Sequence, residues 1–332
     1  MRTSLADLLA LDRPLLADGA TGTNYFGMGL GPGEPPEFWN LDRPDQVRQL
    51  HQEFVDAGAD IILTNTFGSN RYRLALHNAG DRAGEIARIA AEIAGDVAAS
   101  SARPVVVAGS VGPTGELLVP LGTMTEDDAI AAFTEQTIGL RDGGVDVIWI
   151  ETKSAAVEMR AAALAAIAVG MPYTVTASFD TAGRTMMGLR PAELVGVFDG
   201  LSQQPVAIGA NCGVGASDLL LTVQQMRRDD LIVIAKSNCG VPQFRGAEIE
   251  YSGNPTLMGE YATLAVDSGA TIVGGCCGTS PAHLAEMRRT LDGYVRRDAP
   301  TLDQIVATVG PLTNSVVTEH EPATSRRRRR RD

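Results

Sequence analysis

Short apolar runs rich in β-branched residues recur along the chain, and each ends on a small or polar residue. Eight can be read: 15–18 (LLAD), 60–65 (DIILTN), 104–110 (PVVVAGS), 145–151 (VDVIWIE), 172–178 (PYTVTAS), 205–212 (PVAIGANC), 231–238 (LIVIAKSN) and 270–276 (ATIVGGC). Ala-rich or amphipathic stretches lie between them and predict helices near 44–57, 83–99 and 125–142, and from Pro281 onward. Runs this short and apolar on both faces suit parallel strands covered by helices. Eight β/α repeats predict an α/β fold, a (β/α)8 TIM barrel with its site at the C-terminal face. The alternative is a doubly wound open sheet. Against it, no Gly-x-Gly-x-x-Gly fingerprint follows the first strand. DGATGT at 18–23 has the wrong spacing, and no helix is predicted directly after it. The rhythm stops near 295, which divides the chain into a barrel over 1–295 and a partly ordered or flexible tail over 296–332.

In such barrels chemistry gathers at the carboxyl ends of the strands. Those ends read Asp18, Asn65, Ser110, Glu151, Ser178 with Asp180, Asn211 with Cys212, Asn238 with Cys239, and Cys276 with Cys277. All four cysteines of the 332-residue chain are among them.

Composition narrows the classes. An apolar share of 44% with 20% charged residues is ordinary for a globular protein. The net charge of −12 conceals a run of six arginines at 326–331; without it and Asp332 the body stands at −17. A body that acidic speaks against nucleic acid as a partner. The arginine run reads as a solvated or appended tail. Lysine occurs only at 153 and 236, which we read as a reflection of genomic base composition. No apolar run approaches the ~18–20 residues a membrane helix needs. The N-terminus carries Asp7, Asp12 and Asp18 and lacks a signal-peptide pattern, so a cytoplasmic location with no membrane partner is expected. Four cysteines in such a chain do not form a disulfide framework.

Cys276 and Cys277 lie in GGCCG, and Cys212 lies in GANCG. Glycine frees the backbone to turn, so neighbouring thiolates can point to one place. In a closed barrel strands six and eight flank strand seven, and three sulfurs can converge. Three thiolates with an open fourth position describe a catalytic zinc site, and soft sulfur selects Zn2+ over Mg2+ or Ca2+. The competing readings are a buried apolar role, which Cys239 also fits, a strained vicinal disulfide, and a Cys nucleophile served by a His base. No histidine is expected at a strand end: His51 and His283 fall in predicted helices, His77 in a loop and His320 in the tail.

LLADGATGT at 15–23, GADIILTNTF at 58–67, GANCG at 209–213 and IVGGCCGTSPAHL at 272–284 together resemble the homocysteine S-methyltransferase family, over about residues 10–292. The resemblance implies a zinc-dependent (β/α)8 barrel with Cys212, Cys276 and Cys277 as the zinc ligands. It gives Asp18 and Gly19 to the loop that holds the amino-acid part of homocysteine. Glu151 falls to the substrate ammonium, and backbone N–H groups over 20–23, Ala20 and Thr21 among them, to its carboxylate. Asn238 stands where methionine synthase modules place an asparagine that fills the fourth zinc site before substrate arrives. Cys239 replaces the usual small residue beside it.

The implied reaction is methyl transfer to the homocysteine thiolate, giving methionine. A free thiol with a pKa near ~8.5 is mostly protonated at neutral pH, and zinc coordination removes that proton. The small donor is expected to be betaine, as in bacterial betaine–homocysteine methyltransferases. Its cationic methyl centre could sit among aromatics drawn from Tyr25, Phe26, Trp39, Phe67 and Tyr72, with Phe38 beside Trp39. S-methylmethionine and a methylcobalamin-carrying corrinoid partner protein are the alternatives, since a corrinoid domain finds no room here. From other classes, the chain could be a non-catalytic zinc- or thiol-binding barrel subunit, or a barrel lyase or hydrolase with structural cysteines. Ala-rich outer helices leave a homo-oligomer open.

Overall fold

A computed structural model of the protein describes residues 2–240, 242–245 and 248–313. The eight apolar runs form the parallel strands β1 (Leu15–Leu16), β2 (Ile61–Leu63), β3 (Val106–Val111), β4 (Val147–Lys153), β5 (Tyr173–Ala177), β6 (Ala207–Cys212), β7 (Val233–Ser237) and β10 (Ile272–Gly275). An antiparallel hairpin of β8 (Pro242–Arg245) and β9 (Glu248–Tyr251) intervenes after β7. The sheet order is β1-β10-β7-β6-β5-β4-β3-β2. A parallel bridge between Ala17 and Ile61, with the Asp18 N–H donating to the Ile61 carbonyl at 3.0 Å, joins the two ends. The ring is thus a (β/α)8 barrel and not an open sheet.

Alternation along each strand separates two apolar layers. Leu15, Ala17, Ile61, Leu63, Val106, Ala108, Val147, Trp149, Ile234 and Ile272 fill the barrel interior. Their neighbours Leu16, Ile62, Val107, Ile148, Val175 and Val273 face outward into the layer shared with the helices. Fully burying one such side chain contributes about 1.5–3 kcal/mol, so strands apolar on both faces are stable only when both layers are present. The helices at Pro44–Asp56, Ala83–Ser100, Glu126–Asp142 and Pro281–Leu291 lie where their patterns predict. Thr125 and Asp128 form a capping box that starts the third.

One segment differs from expectation, and another forms an ordered part of the tail. Thr21–Gly27 is a helix directly after the first strand, although seven residues with two glycines show no amphipathic period. It is fixed tertiarily: Tyr25 is fully buried, and the Asn24 side-chain amide donates to the Thr279 carbonyl at 3.0 Å. Leu302–Val309, inside the segment read as tail, is a helix capped by Thr301. It buries Ile305, and the stretch around it is tied to helix Ala216–Met226 through Gln224 to the Pro300 carbonyl (2.8 Å) and the Thr313 N–H to Asp218 (2.9 Å). His320 and the arginine run lie outside the described residues. Among the described residues no helix is long and apolar enough to cross a membrane.

Candidate metal centre and substrate cavity

Cys212 ends β6 in the left-handed region, at φ +61°, and Gly213 follows at φ +75°. This reversal carries the thiol off the strand line toward β10. Cys276 and Cys277 follow β10 directly and are held by backbone bonds, from the Cys276 N–H to the Ser237 carbonyl (2.6 Å) and from the Cys239 N–H to the Cys277 carbonyl (2.8 Å). Gly278 has φ +79°, and a Cβ there would stand 2.4 Å from the Tyr251 ring. Glycine is therefore required for Tyr251 to lie over the cysteine turn. The Tyr251 hydroxyl reaches the Cys277 thiol by hydrogen bonding.

The sulfurs of Cys212, Cys276 and Cys277 all lie within 4.8 Å of one another. The hydrogen bond with Cys276, ahead of burial, pushes the Cys212 thiol up to about 12, and that with Cys212 pushes Cys277 up to about 11. Such crowding makes a thiolate costly unless a cation sits among the three. Three soft donors converging with room beside them fit Zn2+. Cys239 is buried and stands outside the triangle; burial pushes its thiol up to about 11. Asn238 braces the site, its Oδ1 accepting the Cys277 N–H at 3.1 Å and its Nδ2 donating to the Gly213 carbonyl at 2.8 Å.

Asn211 belongs to the layer behind the sulfurs. Its Nδ2 donates to Thr152 Oγ1 (2.7 Å) and lies 3.7 Å from Cys276 Sγ; its Oδ1 accepts from the Thr152 N–H (2.9 Å) and Thr176 Oγ1 (2.7 Å). Thr152 sits at φ +58°, where the register of β4 against β5 shifts between Ile150 and Lys153. That irregularity lets Glu151 and Thr152 both line the cavity while Lys153 turns outward. Lys153 is fully buried there, with Nζ donating to the Gly112 carbonyl at 2.7 Å and 4.0 Å from the Phe133 ring centre. Burial, opposed by Glu158, lowers its pKa to about 8.

The sulfurs open into a cavity of about 560 Å3. Gly19, Ala20, Thr21, Glu151, Lys236 and the three site cysteines all line it. Glu151 is buried and accepts a hydrogen bond from the Ser110 hydroxyl; burial raises its pKa against the pull of Lys236. Asp18 does not line the cavity. Its Oδ1 accepts from Lys236 Nζ at 2.7 Å and its Oδ2 from the Leu63 N–H at 2.7 Å, and the residue is wholly buried. Asp18, expected beside the amino-acid part of the ligand, is found in an ion pair with Lys236.

Of the aromatics named from the sequence, Phe26 and Phe67 line the cavity. Tyr25 and Trp39 are instead core residues, with ring centres 5.0 Å apart, and Trp39 Nε1 donates to Glu34 at 2.9 Å. Tyr72 and Phe38 pack against the apolar core. Glu34, Glu37, Arg73 and His77 complete that wall. Among the described residues His77 is the one histidine lining the cavity; His51 is core, and His283 serves as the cap partner of Ser280. Both lysines, set aside in the composition, prove to be buried beside strand ends. Their scarcity was the available signal, since arginine supplies all but two of the 28 basic residues and the two lysines stand apart from it.

A sequence profile described as homocysteine S-methyltransferase matches residues 15–291, which spans every barrel strand and all three metal-site cysteines. The chain belongs to the homocysteine S-methyltransferase family. This family transfers a methyl group to homocysteine, giving methionine, and depends on zinc. Among curated proteins the chain is similar to the methionine synthases of Mycobacterium tuberculosis (31% identical, 86% of this chain) and Mycobacterium leprae (30%, 89%). It spans about a quarter of the length of each, 25% and 26%. The homocysteine methyltransferase MmuM of Escherichia coli, in its metallated form, has the same fold: TM-score 0.73 at 21% identity, covering 86% of this chain and 99% of that one.

Proposed function

We propose that the chain transfers a methyl group from a small onium donor, betaine in the first instance, to homocysteine bound at Cys212, Cys276 and Cys277. The observation that carries this reading is the joining of the sulfur triangle and the aromatic wall of Phe26 and Phe67 in one cavity. Zinc held by the three cysteines supplies the deprotonated, fixed sulfur of the substrate. Gly19, Ala20 and Thr21 form the wall against which its amino-acid part lies, and Glu151 faces its ammonium. Asn238, tied to the Cys277 N–H and the Gly213 carbonyl, would hold the two cysteine-bearing turns together around the ion. Phe26 and Phe67, with the carboxylates of Glu34 and Glu37, suit a cationic methyl centre, since aromatic faces and anions both attract such a group. Arg73 in the same wall suits a carboxylate on the donor. Holding donor and thiolate in line accounts for much of the acceleration.

The test is a donor panel of betaine, S-methylmethionine and methylcobalamin, each with homocysteine and zinc-loaded protein, scoring methionine. Betaine turnover supports the reading. Turnover with S-methylmethionine alone moves the donor assignment, and turnover with methylcobalamin alone favours a corrinoid partner. No methionine from any donor would favour the non-catalytic thiol-binding subunit.

A further inference from the structure

The cavity floor holds an ammonium that the zinc chemistry does not use. Lys236 projects from β7 into the top of the barrel, its Nζ 5.7 Å from the Trp149 ring centre, and joins the cavity wall with Glu151 and Cys276. It is 2% exposed, and Asp18 accepts one of its three N–H groups. Asp18 is wholly buried and lies outside the cavity lining, with its oxygens on Lys236 Nζ and the Leu63 N–H, so its place is behind Lys236 as an anchor. Burial works against the Lys236 charge; Asp18 first and Glu151 second outweigh it, and its pKa stands above the ordinary value. With Asp18 and Lys236 compensating each other, the cavity presents a carboxylate and an ammonium side by side next to the sulfurs. A zwitterionic α-amino acid carries the complementary two groups on one carbon.

We propose that Lys236 is the specificity-determining contact for the α-carboxylate of the thiol substrate, with Glu151 facing its ammonium and Asp18 anchoring the lysine. The proposal rests on the reading of homocysteine as the bound thiol. Replacing Lys236 alone strands a buried carboxylate, so the informative variant removes both charges, as Lys236→Met with Asp18→Asn.

Calorimetric titration of the zinc-loaded protein with L-homocysteine and with 3-aminopropane-1-thiol isolates the carboxylate, because the second ligand differs only in lacking it. A buried, charge-assisted contact predicts that the natural protein prefers homocysteine by about 10- to 100-fold. The double variant should lose that preference to within about threefold, keeping its zinc and its affinity for the aminothiol. An unchanged preference in the variant, an equal loss for both thiols, or no preference in the natural protein would each overturn the proposal. Since the readout is binding, failure of methyl transfer with every donor would count against the transfer reading and leave this one intact.

Discussion

The Asn211 amide nitrogen lies 3.7 Å from the Cys276 sulfur, while the oxygen of the same amide accepts the N–H of Thr152. One side chain therefore links the metal centre to the irregular end of β4 that presents Glu151. Asn211→Ala leaves the Thr152 N–H and the Thr176 hydroxyl without their acceptor, at a cost of about 1–3 kcal/mol in denaturant unfolding. Loss of an outer-shell donor should also weaken zinc binding by about 10- to 100-fold in chelator competition. Lower stability with unchanged zinc affinity would confine Asn211 to supporting β4.

The ligand assignment separates three cysteines from the fourth. Cys212→Ala, Cys276→Ser and Cys277→Ser should each abolish stoichiometric zinc by metal analysis, because two thiolates do not hold the ion as three do. Cys239→Ala should keep it. Its thiol stands outside the sulfur triangle, and what it loses is packing, about 1 kcal/mol of stability. Zinc loss in the Cys239 variant, or retention in the Cys277 variant, would redraw the site.

Much of this architecture was legible beforehand because strand signals are local. Eight short apolar runs with helices between them leave few arrangements, and glycine beside paired cysteines marks a turn that gathers sulfur. The helix Thr21–Gly27 was not legible, because Tyr25 and the Asn24–Thr279 bond hold it and its own sequence does not. The pairing of Asp18 was not legible for a similar reason. Its partner Lys236 lies 218 residues away, and no local pattern brings the two together. The aromatics show the same limit: Phe26 and Tyr25 are adjacent in sequence, yet one lines the cavity and the other is core.

The donor wall makes its own prediction. Phe26 is 57% exposed, so Phe26→Ala should leave stability nearly unchanged. An aromatic face against a partly desolvated cation contributes about 0.5–2 kcal/mol, which corresponds to a rise of about 2- to 30-fold in the KM for betaine. The KM for homocysteine should stay constant, as the side chains assigned to it, the three cysteines, Glu151 and Lys236, come from other elements. Equal rises for both substrates would make Phe26 a support of the loop and not a donor contact.

His51 offers a pH dependence that can be isolated from the site. It is fully buried in helix Pro44–Asp56, and neither ring nitrogen has a hydrogen-bond partner. Burial, with Arg48 adding to it, lowers its pKa from 6.5 to about 4. As pH falls, the unfolded chain takes up the proton first, so His51 favours the folded state fully above pH 6.5 and loses that contribution progressively down to about 4. A shift of this size corresponds to on the order of 3 kcal/mol. The buried carboxyls of Asp18, Glu37 and Glu151, whose pKa values burial raises, act in the opposite sense over the acid range. Comparison with His51→Met cancels them, because they are common to both proteins. Methionine replaces an unpartnered polar ring with an apolar chain, so the two proteins should agree within about 1 kcal/mol at pH 7.5. Urea unfolding from pH 7.5 to 4.5 should then show the natural protein falling steadily below the variant. Parallel curves would mean that the ring keeps a proton partner when folded, and that its burial is not the cause of acid lability.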